Sequence, residues 1–464
     1  MHQYIYNQLL KDVNFEAEEI FELLGKENRD EVTTEDCIEF NSALSDILSG
    51  NLTIPFIENR RLNISEADIE KIKLQLKRKT QEIRNNILHK YLQSENLHFL
   101  ISNGCSLYSG SKAINNEEKS EHSQLLESFK METEFENKEQ IESVIQNLAH
   151  KRPEEALDKL YQILSYYQNV IMNQIGTEAV EEIENFIYKF KQTFIKNFVL
   201  TVNYDKNHLH KAFLKKIVSR NSKLKKANIF TLNYDLLVEK TAEELGVYVN
   251  NGFAGFHYRT FMPSTYHLDT HLNYADGDKV HTKGINLFKL HGSLSWVFDD
   301  SKPPYGISEI QQDFKKLSAE NQSIDTIPEC IIYPVQSKKT YSLDLPYSEM
   351  FRQFIEFVNK TNSVLMIMGY SFWDEHVNDI ITNALSNPDF NLIVFSFQNK
   401  GDQNMAPYLK SLINRSEDDS RITIFFGNIL GDFEQIVRYL IPYPHHDTTE
   451  QIILETLQKL KEGQ

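Results

Sequence analysis

Ile229-Phe230-Thr231-Leu232-Asn233-Tyr234-Asp235-Leu236-Leu237-Val238-Glu239 is the stretch whose reading decides the fold. Its first four residues are apolar or β-branched, the pattern of a buried strand. Asp235 then offers a carboxylate to the free amides of a first helical turn. The helix it opens runs from Leu236 to Leu245 and stops at Gly246, a residue suited to the left-handed position after a helix. Asn233 therefore stands at the carboxyl end of a strand, the edge of an open α/β sheet where ligands bind. Taken alone, a polar residue there is better explained as turn chemistry.

The same pattern occurs three more times. Leu97 to Ser102 runs into Asn103-Gly104-Cys105-Ser106-Leu107-Tyr108-Ser109-Gly110. Leu287-Phe288-Lys289-Leu290 runs into His291-Gly292-Ser293, and Ser363 to Met368 runs into Gly369-Tyr370-Ser371-Phe372-Trp373-Asp374. Four buried strands ending in turns of small and polar residues can line one crevice. Toward the C-terminus the chain alternates between strands at 391–397 and 421–426 and helices at 405–413 and 429–440. The expected fold class is thus α/β, a Rossmann-like parallel sheet flanked by helices.

Helical additions surround this framework. Residues 1–93 read as a helical N-terminal extension, clearest from Ser65, where Ile69, Ile72, Leu76, Ile83, Ile87 and Tyr91 recur near a helical period. Residues 94–445 make the ligand-binding domain, with an all-helical insertion at about 115–200 that Arg152-Pro153 interrupts. Residues 446–464 hold a last amphipathic helix. Between these, 257–286 read as irregular, 299–327 as an exposed excursion, 347–360 as a helix, and Ile331-Ile332-Tyr333-Pro334 as the restart of a strand.

The ordered set of turns resembles the sirtuin superfamily. Sirtuins carry G-A-G-x-S-x-x-S-G after the first strand, and Gly104, Ser106, Ser109 and Gly110 fall in register with it. T-Q-N-x-D is matched by Thr231, Asn233 and Asp235, L-H-G by Leu290-His291-Gly292, and a late G-T-S by Gly369 and Ser371. The resemblance spans roughly residues 95 to 440. The departures narrow it. Ser102 and Asn103 replace the first Gly and the Ala, no I-P-D-F-R follows Gly110, and P-x-V-x-F-G-E is poorly kept. Protein-deacetylating sirtuins hold zinc on four cysteines in two close pairs; only Cys37, Cys105 and Cys330 are present. The chain is more similar to the bacterial sirtuin-like NAD-consuming enzymes of anti-phage defence.

That resemblance implies an NAD+ glycohydrolase, releasing nicotinamide and ADP-ribose within an abortive-infection system. A deacylase or ADP-ribosyltransferase, and a catalytically silent module that senses NAD or ADP-ribose, are the alternatives. It makes Asn233 and His291 the catalytic residues: Asn233 to hold the ribose or the attacking water, His291 to contact the ribose hydroxyls and act as general base. Read alone, His291 is more readily a buried core histidine. Gly104, Cys105 and Ser106 are assigned to the diphosphate through their amides, with Thr231 and Gly292 in the same pocket. Gly369, Ser371 and Asp374 are assigned to the adenosine ribose, although Asp374 serves equally as a helix cap. NAD is the expected substrate and no zinc or other metal is expected. The expected partners are further copies of the chain and a HerA-type ring ATPase.

Composition excludes several other classes. No apolar run approaches the about 18–20 residues of a membrane span. The start of the chain has neither the basic nor the apolar region of a signal peptide. Three scattered cysteines provide no disulfide framework, which suits the cytoplasm. A net charge of −17 argues against direct contact with nucleic acid. His257, His267, His271, His281 and His291 are close in sequence, but their spacings match no metal-binding helix.

Overall fold

The structure is a computed structural model that describes residues 5–6, 53–56, 60–63 and, with breaks chiefly at 113–120, 315–329 and 332–344, residues 88–443. Its centre is an eight-stranded sheet. In chain order the strands are β1 (Ile5–Tyr6), β2 (Asn96–Ile101), β3 (Ala227–Thr231), β4 (Tyr248–Asn250), β5 (Gly284–Lys289), β6 (Ser363–Met368), β7 (Asn391–Ser396) and β8 (Ile422–Phe426). In space they lie in the order β1-β8-β7-β6-β2-β3-β5-β4. β2 to β8 are mutually parallel, and only the edge pairing of β1 with β8 is antiparallel. The Rossmann-like class read from the sequence is the class observed.

Every residue of β2, β3, β5, β6 and β8 is buried, which is what a parallel sheet covered on both faces requires. Alternate side chains serve two cores. Leu100, Phe230, Phe288 and Ile367 meet α3 (Tyr347–Val358), α4 (Glu375–Ala384) and α5 (Pro407–Ser416) on one face. Phe99, Ile229, Leu287 and Met366 meet α1 (His208–Val218) and α2 (Leu237–Leu245) on the other. The helix after β3 starts one residue later than expected, and Gly246 ends it at φ +63.

A row of polar side chains crosses the sheet near its amino ends. Asn286 Nδ2 donates to Asn228 Oδ1 at 2.7 Å, and Asn228 Nδ2 donates to His98 Nδ1 at 3.0 Å. His98 Nε2 lies 3.4 Å from Ser363 Oγ. Burial, followed by the nearby Lys360 charge, lowers His98 to about 3, so its ring is neutral. Each strand in this row is thereby pinned in register to its neighbour.

Residues 121–199 are helical, as expected of the insertion, through Glu121–Glu127, Lys138–Asn147, Pro153–Tyr166 and Met172–Phe194. They enclose a core of their own, which also takes in Leu236, Leu237 and Leu294 from the turns after β3 and β5.

Other expectations are revised. Within 1–93 the described residues include short strands at Thr53–Phe56 and Arg60–Asn63 besides β1, and one helical turn at His89–Leu92. The rest of the expected Ser65 helix, and the helix at 448–461, lie outside the described residues. Residues 257–286, read as irregular, include strands at Arg259–Phe261, His271–Asn273 and Lys279–His281, and the excursion read over 299–327 includes Ile307–Glu309; Phe253–Ala254, Arg259–Phe261, Ile307–Glu309 and Trp296–Phe298 form a small antiparallel sheet. Of the strand expected at Ile331-Ile332-Tyr333-Pro334, Ile331 makes a bridge to Gly292 and the other three residues lie outside the described residues. The helix expected over 429–440 is broken at Gly431, whose Cα packs so closely on Ser396 that an added Cβ would stand 2.2 Å from that carbonyl. Asp432 then caps a new start by accepting the Gln435 amide at 3.0 Å.

Candidate active site

β2 has β3 on one side and β6 on the other, and the chain leaves it toward β3 first and returns to β6 only after β5. Strand order reverses there, and in open α/β sheets the carboxyl ends of the strands at such a point are where ligands bind. The register makes the four turns level. Ile101, Thr231, Lys289 and Met368 form one row of paired residues. Asn103, Asn233, His291 and Tyr370 therefore each stand two residues beyond the sheet edge.

The first and last turns touch through glycine. Gly104 N–H donates to Gly369 O at 3.1 Å, and Ser102 N–H donates to Met368 O at 3.2 Å. A Cβ on Gly369, whose φ is +66, would stand 2.6 Å from Cys105 N. Gly292, at φ +88, is pressed against Cys330 O, which an added Cβ would meet at 1.9 Å. All three glycines are thus required by backbone packing around the crevice.

The phosphate role expected of the first turn is not supported by its amides. Besides the Gly104 bond, Cys105 N–H donates to Ser102 O and Ser106 N–H to Asn103 O, both at 2.9 Å. The donors that were to meet an anion are committed to short-range carbonyls, because the turn is two consecutive 3₁₀ segments. The Cys105 side chain points into the core, where burial pushes its thiol up.

Asn233 is built into a chain of side-chain bonds. Its backbone N–H donates to Thr231 Oγ1 and its Nδ2 to Ser106 Oγ, each at 3.0 Å. Ser106 in turn donates to Asp235 Oδ2, and Asp235 Oδ1 accepts the Leu237 amide, again at 3.0 Å. The orientation of the carboxamide is fixed from its donor end. Its acceptor, Oδ1, makes no hydrogen bond to another described residue, and the side chain is only half-buried.

Lys289, almost wholly buried at the end of β5, holds this turn from below. Its ammonium donates to Asp235 O, to Tyr234 O at 3.4 Å and to Glu239 Oε1 at 3.1 Å. Burial raises Glu239 and the Lys289 charge opposes that shift. The sequence reading missed both residues. The signal for Lys289 was present: a lone cation in an otherwise apolar strand end, where an unpaired charge is costly.

His291, two residues further on, is 5% exposed, and its Nε2 lies 3.1 Å from Asp374 Oδ2. Asp374 Oδ1 accepts the amides of His376 at 3.1 Å and Val377 at 3.3 Å, at the start of α4. Asp374 is a helix cap, and its second oxygen faces His291. The turn that delivers it is constrained: Phe372 adopts φ +63, a conformation costly for a bulky side chain, while Asn378 Nδ2 donates to Phe372 O at 2.9 Å. The Tyr370 hydroxyl donates to Asp374 O at 3.0 Å.

Of the sequence-derived residues, Thr231, Asn233 and Ser106 are joined in one network and His291 and Asp374 in a second. The Leu294 amide donates to Tyr234 O at 3.1 Å and ties the Asn233 turn to the segment after His291. Ser371 is exposed on the last turn. His267 is elsewhere, stacked on Phe357 and paired with Glu356 at 3.7 Å. Among the described residues no group of three or more His, Cys, Asp or Glu side chains is arranged to hold a metal ion, and no helix is long and apolar enough to cross a membrane.

Comparison with known proteins agrees with part of this. Residues 227–416 match the family model of the SIR2-like domain, a span that holds Asn233, His291 and Asp374. A Sir2 homologue solved in complex with NAD aligns at 13% identity over 77% of this chain and 93% of its own, with a TM-score of 0.36. A Sir2 mutant solved with a p53 peptide and NAD aligns at 11% identity over 77% and 96% of the two chains, with a TM-score of 0.31. No curated protein sequence matches the chain. The family match covers β3 to α5, the part of the chain that carries the second, third and fourth turns.

Proposed function

We propose that the chain is an NAD+ glycohydrolase that cleaves NAD to nicotinamide and ADP-ribose. The observation that carries this reading is the level placement of Asn233 and His291 on neighbouring strand ends, beside the switch-point crevice and inside the SIR2-like domain. Cleaving the bond between C1′ of the ribose and the pyridinium nitrogen lets nicotinamide leave with the bonding pair. The oxocarbenium-like ribose then takes a water on the opposite face. Asn233 suits the positioning role because its carboxamide is held by Ser106 while Oδ1 remains able to accept from a ribose hydroxyl or a water. His291 accepts the proton the water loses. The exposed Ser371 hydroxyl is the group offered to the adenosine ribose, since the oxygens of Asp374 are engaged with His291 and α4.

The wider role rests on the resemblance of the four turn motifs to bacterial sirtuin-like defence enzymes. In that role the chain acts in the cytoplasm, as copies assembled with each other and with a HerA-type ring ATPase, to deplete NAD on infection. An unrestrained NADase would drain its own host, so an assembly that holds the site off is part of the proposal. The test is incubation with NAD, with and without an acetylated peptide, and with the co-expressed ATPase, followed by chromatography. Free ADP-ribose formed without peptide is expected. O-acetyl-ADP-ribose formed only with peptide would make it a deacylase, and NAD unchanged in every arm would leave it a binding module.

A further inference from the structure

Lys289 and Leu294 stand two residues before and three residues after His291, and both donate to one carbonyl. Tyr234 O accepts from Lys289 Nζ at 3.4 Å and from the Leu294 amide at 3.1 Å. Tyr234 follows Asn233, so the segment around His291 grips the turn of Asn233 one residue from the carboxamide. Lys289 reaches further along that turn, to Asp235 O and to Glu239 Oε1, the latter at 3.1 Å. The three N–H donors of the ammonium thus have three acceptors, and with the side chain 3% exposed they are held away from water. A further group from outside the turn, the buried Tyr204 hydroxyl, accepts the Leu236 amide at 3.3 Å.

Stability does not require a charge at this place. A buried ion pair can often be exchanged for apolar side chains of similar volume without loss. What an ammonium adds is geometry, since its burial is tolerated only while its acceptors are in reach. Lys289 is itself fixed, paired opposite Thr231 in the last row of the sheet. We propose that Lys289 is a positioning residue that sets where the Asn233 carboxamide stands relative to His291. This rests on the glycohydrolase reading, in which the two side chains act on one ribose. The strand end that leads to His291 carries the cation, and the turn that carries Asn233 supplies the carbonyls. Displacing one turn against the other therefore breaks the bonds of a buried charge.

Lys289→Met combined with Glu239→Gln removes the bridge without leaving a charge unpaired. The pair is expected to fold, with a melting temperature near wild type. In protein labelled with ¹⁵N-asparagine, the side-chain amide signals of Asn233, identified by their loss in Asn233→Asp, should shift and broaden in the pair. The kcat for NAD cleavage should fall by about 10- to 10²-fold, because a misplacement of about 1 Å can cost that much, while KM stays within about threefold. Glu239→Gln alone keeps an oxygen for the ammonium and both turn carbonyls, and should keep the wild-type signals and rate. A residue that only stabilised the fold would leave signals and kcat unchanged in any variant that melts like wild type. If the pair does not fold, Lys289→Gln is read in the same two ways: its amide ends one bond short of the ammonium, and Glu239 can take up a proton to become neutral. Wild-type Asn233 signals in the folded variant, or a kcat within about threefold of wild type, overturns the assignment. If the wild-type protein leaves NAD intact, the glycohydrolase reading fails, and the Asn233 signals alone decide whether Lys289 holds the turn.

Discussion

Gly104 and Gly369 face one another across the switch point so closely that a Cβ built on Gly104 would stand 2.6 Å from the Cα of Gly369. Backbone meets backbone there, so neither turn can yield by turning a side chain. Gly104→Ala and Gly369→Ala are each expected to lower stability by about 1–3 kcal/mol, through forced separation of two turns bonded to the same strand ends. Gly369→Ala bears an added penalty from its φ of +66. Chemical denaturation checks both; wild-type midpoints would show that the turns separate freely.

Asn233→Ala and His291→Ala should each reduce NAD cleavage by at least about 10²-fold while leaving the circular dichroism spectrum unchanged. Both residues sit beyond the last paired residue of their strands, so neither substitution cuts a strand pairing. A folded variant that keeps a tenth of the wild-type rate would remove that residue from the mechanism.

Lys289→Met leaves Glu239 buried without its cation and should cost about 3–5 kcal/mol. Adding Glu239→Gln should recover much of that loss, because no isolated charge remains. Glu239 is raised in the fold by burial, so the folded protein binds its proton more tightly than the unfolded chain does. Stability contributed by this group is therefore lost as pH rises from the ordinary carboxyl value through the raised one. With the lysine gone the shift grows, and urea midpoints of Lys289→Met should fall more steeply with rising pH than those of wild type.

How much of this was legible in the sequence depends on the range of the interaction concerned. β6 was readable to the residue, because six consecutive apolar or small residues bounded by polar ones allow little else. The helical insertion was readable from its period. The helix over 429–440 was misread because its break is imposed by Ser396 on β7, a contact that local pattern cannot contain. The small sheet over 253–309 was missed because strands of two or three residues are too short to display alternation. Asn233 and His291 were singled out through motif order, whereas the carboxylate facing His291 lies 83 positions later and is joined to it only by the fold. Lys289 was in plain view as a charge in an apolar run, and its meaning lay in three acceptors contributed by another turn.

Acid should destabilise the helical insertion through His122. Its ring stands 4.9 Å from Phe190 and 5.4 Å from Phe198, and neither nitrogen finds a hydrogen-bond partner among the described residues. Burial lowers it from the ordinary 6.5 to about 4. The unfolded chain therefore takes up the proton first, and stability present above pH 6.5 is lost as pH falls toward 4. His122→Leu should be at least as stable as wild type near neutrality and should flatten the fall in melting temperature between about pH 7 and 5. An unchanged slope would place the sensitivity elsewhere.

With cysteines only at 37, 105 and 330, and with Cys105 and Cys330 both buried and outside any disulfide, no four-cysteine zinc module can form. A zinc chelator should alter neither the melting temperature nor the rate of NAD cleavage. Stoichiometric zinc found by elemental analysis would contradict this and direct attention to the histidines between 257 and 281.

The reversal of strand order at β2 also sets when the candidate site can assemble. Asn233 and His291 emerge from the ribosome well before β6, yet β6 is the strand that pairs with β2 and carries the turn bearing Asp374. Until residues 363–377 have been synthesised and inserted beside a strand made some 265 positions earlier, β2 lacks one neighbour and His291 lacks its carboxylate. Such a pairing must wait for a long loop to close and is slow compared with local helix formation. A chain ended before residue 363 therefore lacks both the pairing of β6 with β2 and the carboxylate that faces His291.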